Sequence, residues 1–382
     1  MMHQYKHIFI YGFAIFSMFF GSGNLVFPLE IGRNTGDQWL LGFLGLLLTG
    51  ILLPFLGLFV IKLHRGSYNA FFAEAGGLAR LVLPLFTLSL LGSFGVVPRC
   101  ITVAHGGIGY LYPQISLVAF SLVFCSATFL FGLKEHLMIS ILGKWMTPLL
   151  LISLFILISM GILLVPDVGL SEVKGPFAFT NGFLHGYRTM DLFAAFFFSS
   201  LIFKQIQAAM PEDLSHGKMI RAALKPSLVG SSLLAFIYLG FVFLGAHYQP
   251  FTEGVSPELI LPTIAAHLMG EKATLLIGII IVFSCLTTAV ALNNIYAQYV
   301  SSLFKAQDRY FPLILFLTVA TSFLVSLLDF RGIEKFLAPA LEVSYPSLIL
   351  LTILSISVKG HKIFKMFVFY GVLALMVYYK YL

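Results

Sequence analysis

The stretch "FFGSGNLVFP", Phe19 to Pro28, breaks into an apolar run that begins at Ile8 and reads on to Glu30. Two glycines, a serine and an asparagine stand where a membrane-spanning helix would carry leucine or valine. Glycine is a poor helix former, and an unpartnered amide is costly in hydrocarbon. The segment therefore reads as a helix that stops and restarts inside the bilayer. Pro28 is expected in the first turn of the restarted helix, where its missing N–H costs nothing.

The rest of the chain fits a membrane setting. Of 382 residues, 59% are hydrophobic and 10% are charged, and the mean hydropathy is +0.97. A soluble core of this length needs a more polar shell. The apolar runs are roughly 18–25 residues long, enough for helical spans, whereas barrel strands would alternate over roughly ten. The expected fold class is an all-α polytopic membrane protein. Eleven spans are predicted: Ile8–Glu30 (interrupted), Trp39–Val60, Leu81–His105, Ile115–Phe131, Leu137–Val165, Gly182–Phe203, Ala222–His247, Ala273–Val300, Phe311–Leu328, Ile333–Ser357 and Phe364–Tyr379. Pro339 and Pro346 leave the tenth open as one kinked helix or two short pieces, which would make twelve.

Loop charges set the expected orientation. With a cytoplasmic N-terminus, fourteen Lys and Arg fall on inside faces against eight on outside faces, and Lys144 lies within a span. The excess of +7 is thus read as topology and contact with the lipid bilayer, with no nucleic-acid signal. Cys100, Cys125 and Cys285 fall within spans, lack metal-ligand spacing and read as buried apolar thiols. No cleavable signal pattern and no soluble domain are expected, since the longest polar connections are about twenty residues. Oligomeric state is not legible.

A functional break in the first span predicts a partner in the other half of the chain, because many secondary transporters are inverted repeats whose discontinuous helices frame a midplane site. Five spans on lies "TNGFLHGYRTMDLFAAFFFSSLIF", Thr180 to Phe203, with Gly182, Gly186, Arg188, Asp191 and the pair Ser199-Ser200. The two serines serve either helix packing or a site lining. The eighth span holds "SCLTTAVALNN", Ser284 to Asn294. Its Thr287 and Thr288 offer uncharged oxygens to a hard cation such as sodium, although threonine also bonds back to its own helix.

These segments resemble a known family. "GSGNLVFP" is similar to the first-helix Gly-x-Gly-Asn-x-x-x-Pro segment of branched-chain amino acid:cation symporters. "NGFLHGYRTMD" resembles that family's sixth-helix entry, "CLTTAV" its eighth-helix motif, and "PRCITV" its third-helix Pro-Arg-Thr segment with Cys100 in place of Thr. The matches run in order from residue 21 to residue 290. The resemblance implies uptake of leucine, isoleucine and valine driven by sodium, or by protons in some members, across the bacterial cytoplasmic (inner) membrane. A carrier of another neutral amino acid on the same scaffold is the alternative. It also implies a leucine-transporter-like five-plus-five inverted repeat with broken first and sixth helices. The repeats would be residues 1–165 and 176–358, with an additional helix in 359–382. The family usually has a longer chain and one further span.

Within that frame each residue has an expected role. Amides of the unwound Gly21, Ser22, Gly23 and Asn24 suit the substrate carboxylate, because a helix start presents N–H groups and the positive end of its dipole. Gly23 allows close approach, and Asn24 holds the break or contacts an ion. Phe19, Phe20 and Phe198 are candidates for the apolar pocket, with Ser199 and Ser200 beside them. The carbonyls ending the preceding half-helix, at Ser17 to Phe20, suit the cation or the substrate's ammonium. By resemblance to the fold, sodium lies between the carbonyls of Ser17 and Phe20 and the eighth helix, where Ser284 offers a carbonyl and Thr287 and Thr288 offer hydroxyls.

Asp191 and Arg188 are placed near the outer end of the sixth span, where they could form a helix-face ion pair. For Asp191 a structural or gating role is favoured over that of partner to the substrate's ammonium. Arg99 and Glu342 are candidates for an external gate. His105 and Lys144 could serve a proton pathway, with satisfied core or interfacial roles favoured for each. A membrane enzyme would need convergent acid, base or metal groups, and a channel a repeated filter; the sequence shows neither pattern.

Overall fold

A computed structural model describes residues 2–133, 147–167, 169–208, 216–304, 308–358 and 360–381. The first half of the chain forms α1 (Met2–Phe19), α2 (Ser22–Thr35), α3 (Trp39–Leu46), α4 (Leu53–Leu63), the short α5 (Tyr68–Phe72), α6 (Gly77–Leu91), α7 (Val96–Gly109), α8 (Leu117–Gly132) and α9 (Thr147–Leu163). The second half forms α10 (Gly175–Arg188), α11 (Asp191–Ala208), α12 (His216–His247), the single turn α13 (Gln249–Thr252), α14 (Ile260–Leu303), α15 (Phe311–Ser326), α16 (Asp329–Ser357) and α17 (Lys362–Tyr381). Among the described residues, six helical stretches are long and apolar enough to cross a membrane, and five shorter apolar helices accompany them.

Each predicted span coincides with helix where it is described. The fifth is described from Thr147 onward, so Lys144 lies outside the described residues. The third departs from expectation. It is two helices, α6 and α7, parted at residues 92–95, where Gly92 and Gly95 flank Ser93-Phe94. The tenth runs as one helix through Pro339 and Pro346. The helix that carries the eighth span, α14, begins earlier and bends at Gly270, ahead of that span; the φ of 75° there lies in the left-handed region that glycine alone enters freely.

Pro28 also departs from its expected place. The restarted helix begins at Ser22, so Pro28 is interior to α2. Its ring nitrogen cannot donate to the carbonyl four residues earlier, which leaves the Asn24 carbonyl without its helical partner.

The polar breaks are buried at the centre of the bundle. Gly21 to Asn24 are buried, as are Thr189, Met190 and Asp191. This is the placement the bilayer demands, since irregular backbone is tolerated at membrane depth only where protein or a water-lined cavity covers it. Around them, α12 packs on both α1 and α2, and α14 packs along α7. Large apolar side chains such as Val123, Leu163 and Phe367 face outward, as lipid contact requires.

The second span is also irregular. Between α3 and α4 the chain takes a wider, π-helical turn at Leu47–Leu52. α3 packs against α10, and α4 packs against α11. The first of these contacts is backbone on backbone, since a Cβ added at Gly182 would lie 1.8 Å from the Gly42 carbonyl oxygen. The wide turn comes as near, with a Cβ added at Gly186 lying 1.9 Å from the Thr49 hydroxyl. Small residues give this close crossing, as membrane helices commonly use.

Candidate functional site

The first break is held open by its own polar groups. In a continuous helix the Gly21 amide would donate to Ser17; instead it donates to the Phe19 carbonyl at 2.8 Å. Gly21 has an extended backbone (φ −115°, ψ −158°) and no Cβ. Asn24, three residues on, accepts from the Gly21 N–H through Oδ1 at 3.3 Å. This is one arm of a capping box, in which a side chain in the first turn ties down the residue before the helix.

The second break lies between α10 and α11. The Thr189 hydroxyl donates to the Gly186 carbonyl at 2.9 Å and accepts from the Asp191 N–H at 3.3 Å. Met190 is left-handed, with φ of 61°, a conformation that costs a non-glycine residue of order 1–3 kcal/mol and persists only when its surroundings enforce it.

The two breaks meet. A Cβ added at Gly23 would lie 3.3 Å from the Thr189 Cα, and one at Gly21 would lie 3.0 Å from the Thr288 methyl on α14. Asn24 Nδ2 donates to Asp191 Oδ2 at 2.9 Å and also to the Tyr238 hydroxyl of α12. Tyr238 completes the triangle by donating to Asp191 Oδ2 at 3.0 Å.

These residues wall a small cavity. Its lining takes Phe19, Gly21, Gly23 and Asn24 from the first break, and Thr189, Met190, Asp191, Ala194 and Phe198 from the second. Met18, Leu91, Val96, Thr288 and Leu292 close it. The rings of Phe19 and Phe198 meet edge to face, with centroids 5.5 Å apart. The free space is about 10 Å³, roughly one water molecule, so a larger guest requires these rings to part.

The proposed substrate residues divide accordingly. Phe19, Gly21, Gly23, Asn24 and Phe198 line the cavity. Phe20 lies outside the lining, its ring stacked on Phe16 with centroids 4.9 Å apart. Ser22 and Ser200 are buried outside the lining. Ser199 donates to the Leu58 carbonyl at 2.7 Å and so ties α11 to α4.

Of the expected cation ligands, Ser284 Oγ donates to the Phe20 carbonyl at 2.9 Å, joining α14 to the end of α1. Thr287 Oγ1 donates to the Ser284 carbonyl at 2.7 Å within its own helix. Thr288 differs: its hydroxyl is buried without a hydrogen-bond partner and borders the cavity. Ser17 is half-buried, and its carbonyl is passed over by the Gly21 amide.

Asp191 requires a correction. It stands at the break itself, 3% exposed and tied to Asn24 and Tyr238, not near the outer end of the span and not paired with Arg188. Arg188 instead pairs with Glu334 of α16. Sequence reading also missed Tyr238, Thr189 and Met190. A tyrosine in an apolar span carries no distinctive signal, but a carboxylate well inside the sixth span did.

Beyond Phe27 lies a separate polar cluster. Glu30 is 3.7 Å from Arg33 and 3.8 Å from His185. Arg99, 1% exposed, donates to the Arg188 carbonyl at 2.5 Å and lies over the Phe27 ring at 5.4 Å. Glu342 is not part of this cluster and pairs with Lys380 of α17. His105 Nε2 lies 2.8 Å from the Ile115 carbonyl, a local loop contact.

With this geometry in view, comparison with known proteins is decisive. A family model described as "Branched-chain amino acid transport protein" matches residues 4–379. The chain belongs to that family. It is similar to the branched-chain amino acid permease BraB of Bacillus subtilis, at 30% identity over 92% of this chain and 80% of the permease. It is also similar to the permease BrnQ of Corynebacterium glutamicum, at 28% identity over 92% of this chain and 81% of that protein. As a member of this family the chain is a membrane transporter, not an enzyme.

Solved structures agree on architecture. An inward-facing Mhp1 aligns with a TM-score of 0.62 at 12% identity, covering 91% of this chain and 76% of that one. A substrate-bound, outward-open Na+-coupled sialic acid symporter aligns with a TM-score of 0.62 at 12% identity, covering 97% and 88%. The family member therefore has the leucine-transporter type of fold.

Proposed function

We propose that this protein imports leucine, isoleucine and valine across the bacterial cytoplasmic (inner) membrane by alternating access, driven by a sodium gradient. The observation that carries the reading is the meeting of two helix breaks around one small cavity that has both apolar and polar walls. An aliphatic side chain suits walls of Phe19, Phe198, Met190, Leu91 and Leu292, where each buried methylene contributes about 0.8 kcal/mol. Backbone amides at the start of α2 suit the carboxylate. In this reading residues 1–165 and 176–358 are inverted repeats, residues 359–382 add a helix, and the N-terminus is cytoplasmic.

Sodium is assigned to the seam between α1 and α14. The Ser17 and Phe20 carbonyls, Ser284, Thr287 and Thr288 supply uncharged oxygens there, as a monovalent hard cation prefers. Partial occupation of these oxygens by one another, Ser284 on Phe20 and Thr287 on Ser284, means that loading requires hydroxyls to turn. A second reading, proton coupling on the same scaffold, is favoured by the single carboxylate of Asp191 in the cavity wall.

The test is uptake of labelled leucine into vesicles holding the purified protein. Uptake that requires an inward sodium gradient, and is blocked by isoleucine and valine, is the expected result. Uptake unchanged when choline replaces sodium at fixed pH removes the sodium assignment.

A further inference from the structure

Asp191 is the one charged residue in the lining of the cavity among the described residues. It is 3% exposed and makes no ion pair among those residues. Its side-chain hydrogen-bond donors are the neutral groups of Asn24 and Tyr238, and both bonds fall on Oδ2. Arg99, on the neighbouring α7, is turned toward the Arg188 carbonyl and the Phe27 ring. Arg99 therefore acts on Asp191 only through space, without a contact. A carboxylate whose hydrogen bonds at membrane depth come from neutral donors is expensive, and such groups characteristically face a ligand or a pathway.

The cavity supplies the ligand's other features on adjoining walls. Gly23, at the amide-bearing start of α2, abuts Thr189, two residues from Asp191. An α-amino acid separates its carboxylate from its ammonium by a single carbon, so one molecule spans these walls. Resting on the transport reading above, we infer that Asp191 receives the substrate's α-ammonium and makes the carrier selective for amino acids over neutral or anionic molecules with the same side chain. Asn24 and Tyr238 are positioning residues: they fix the carboxylate across the two breaks. A structural tether alone would need hydrogen-bonding capacity at this position but no charge.

That difference makes the inference testable in proteoliposomes of the full chain. Three probes compete with labelled leucine: unlabelled leucine, 2-hydroxy-4-methylpentanoate and 4-methylpentanoate. The last two keep the side chain and carboxylate but lack the ammonium. In the unaltered protein both are expected to compete at least tenfold more weakly than leucine, the scale of a lost charged hydrogen bond. Equal competition by the hydroxy acid overturns the inference without any variant.

Asp191→Asn preserves shape and acceptor oxygen. It is expected to weaken leucine about tenfold or more while sparing the two analogues, so that the preference collapses. Equal loss for all three probes means that Asp191 only tethers the breaks. A change in sodium requirement with the preference intact assigns the carboxylate to the coupling ion; both results overturn the inference. If Asp191→Asn does not fold, Asp191→Glu provides the second reading. It retains the charge and is expected to bind leucine more weakly with the preference kept, and a lost preference counts against the inference. Failure of the unaltered protein to bind leucine at all would instead defeat the underlying transport reading.

Discussion

Gly23 and Thr189 touch through their backbones: a single added carbon at position 23 would lie 3.3 Å from the Thr189 Cα and 3.3 Å from the Phe27 ring. The two helix breaks are therefore in contact with no side chain between them. Any bulk at position 23 must either push the breaks apart or fill the space a guest would use.

Gly23→Leu is accordingly expected to abolish leucine binding while the protein still folds in detergent. Gly23→Ala is the graded case, with an overpacking cost of about 1–3 kcal/mol expressed as weakened binding. Equilibrium binding of labelled leucine to the purified variants checks both. Near-normal binding by Gly23→Leu would show that the guest does not enter at this contact.

Phe198 sets the far wall through its edge-to-face contact with Phe19. Phe198→Ala enlarges the pocket and is expected to shift preference from valine and leucine toward methionine and phenylalanine. Discrimination among apolar side chains of different length is worth about 1–3 kcal/mol, so shifts of roughly 10- to 200-fold are available. Competition of labelled leucine by all twenty amino acids reads the outcome.

Adjacent threonines are predicted to behave differently. Thr287 is engaged within its own helix, whereas the Thr288 hydroxyl is buried and unpartnered beside the first break. Thr288→Val should raise the sodium needed for half-maximal uptake roughly fivefold, the equivalent of about 1 kcal/mol. Thr287→Val should raise it less, and replacing both by Ala should raise it most. Identical sodium curves for the double variant and the unaltered protein would remove both residues from the cation site.

Ser199 is expected to matter for stability and not for recognition, because its hydroxyl is committed to the Leu58 carbonyl. Ser199→Ala should lower stability by about 1 kcal/mol and leave leucine and sodium dependence unchanged. Thermal unfolding in detergent alongside uptake separates these effects.

Much of this was legible in the sequence because membrane solvent punishes irregularity. A Gly-Ser-Gly-Asn run inside an apolar segment has few explanations, and its partner was found by position alone. What escaped was whatever depended on three-dimensional register. The α6–α7 interruption was hidden because Gly92 and Gly95 sit among apolar neighbours that read as ordinary helix. Pro28 falls beyond the first turn because the restart point is set by the Gly21 turn, not by the proline. The predicted span Gly182–Phe203 already holds Asp191 near its middle, so an outer-end role conflicts with that span; the break that fixes its surroundings depends on Thr189 and Met190. The Asn24–Asp191–Tyr238 triangle joins residues 167 and 47 positions apart in the chain, and no local periodicity encodes such a pairing.

The wide turn at Leu47–Leu52 acquires a mechanical meaning beside the break at Met190. α10 is fastened to α3 through bare backbone at Gly182, and α11 is fastened to α4 by side chains that include the Ser199 link. The second and sixth spans thus form a pair of parallel struts, braced to each other above and below, and each is jointed in its middle. A brace of this kind cannot flex at one joint alone. A tilt of the α3–α10 half against the α4–α11 half would have to be taken up at both joints together, the break at Met190 and the six-residue wide turn.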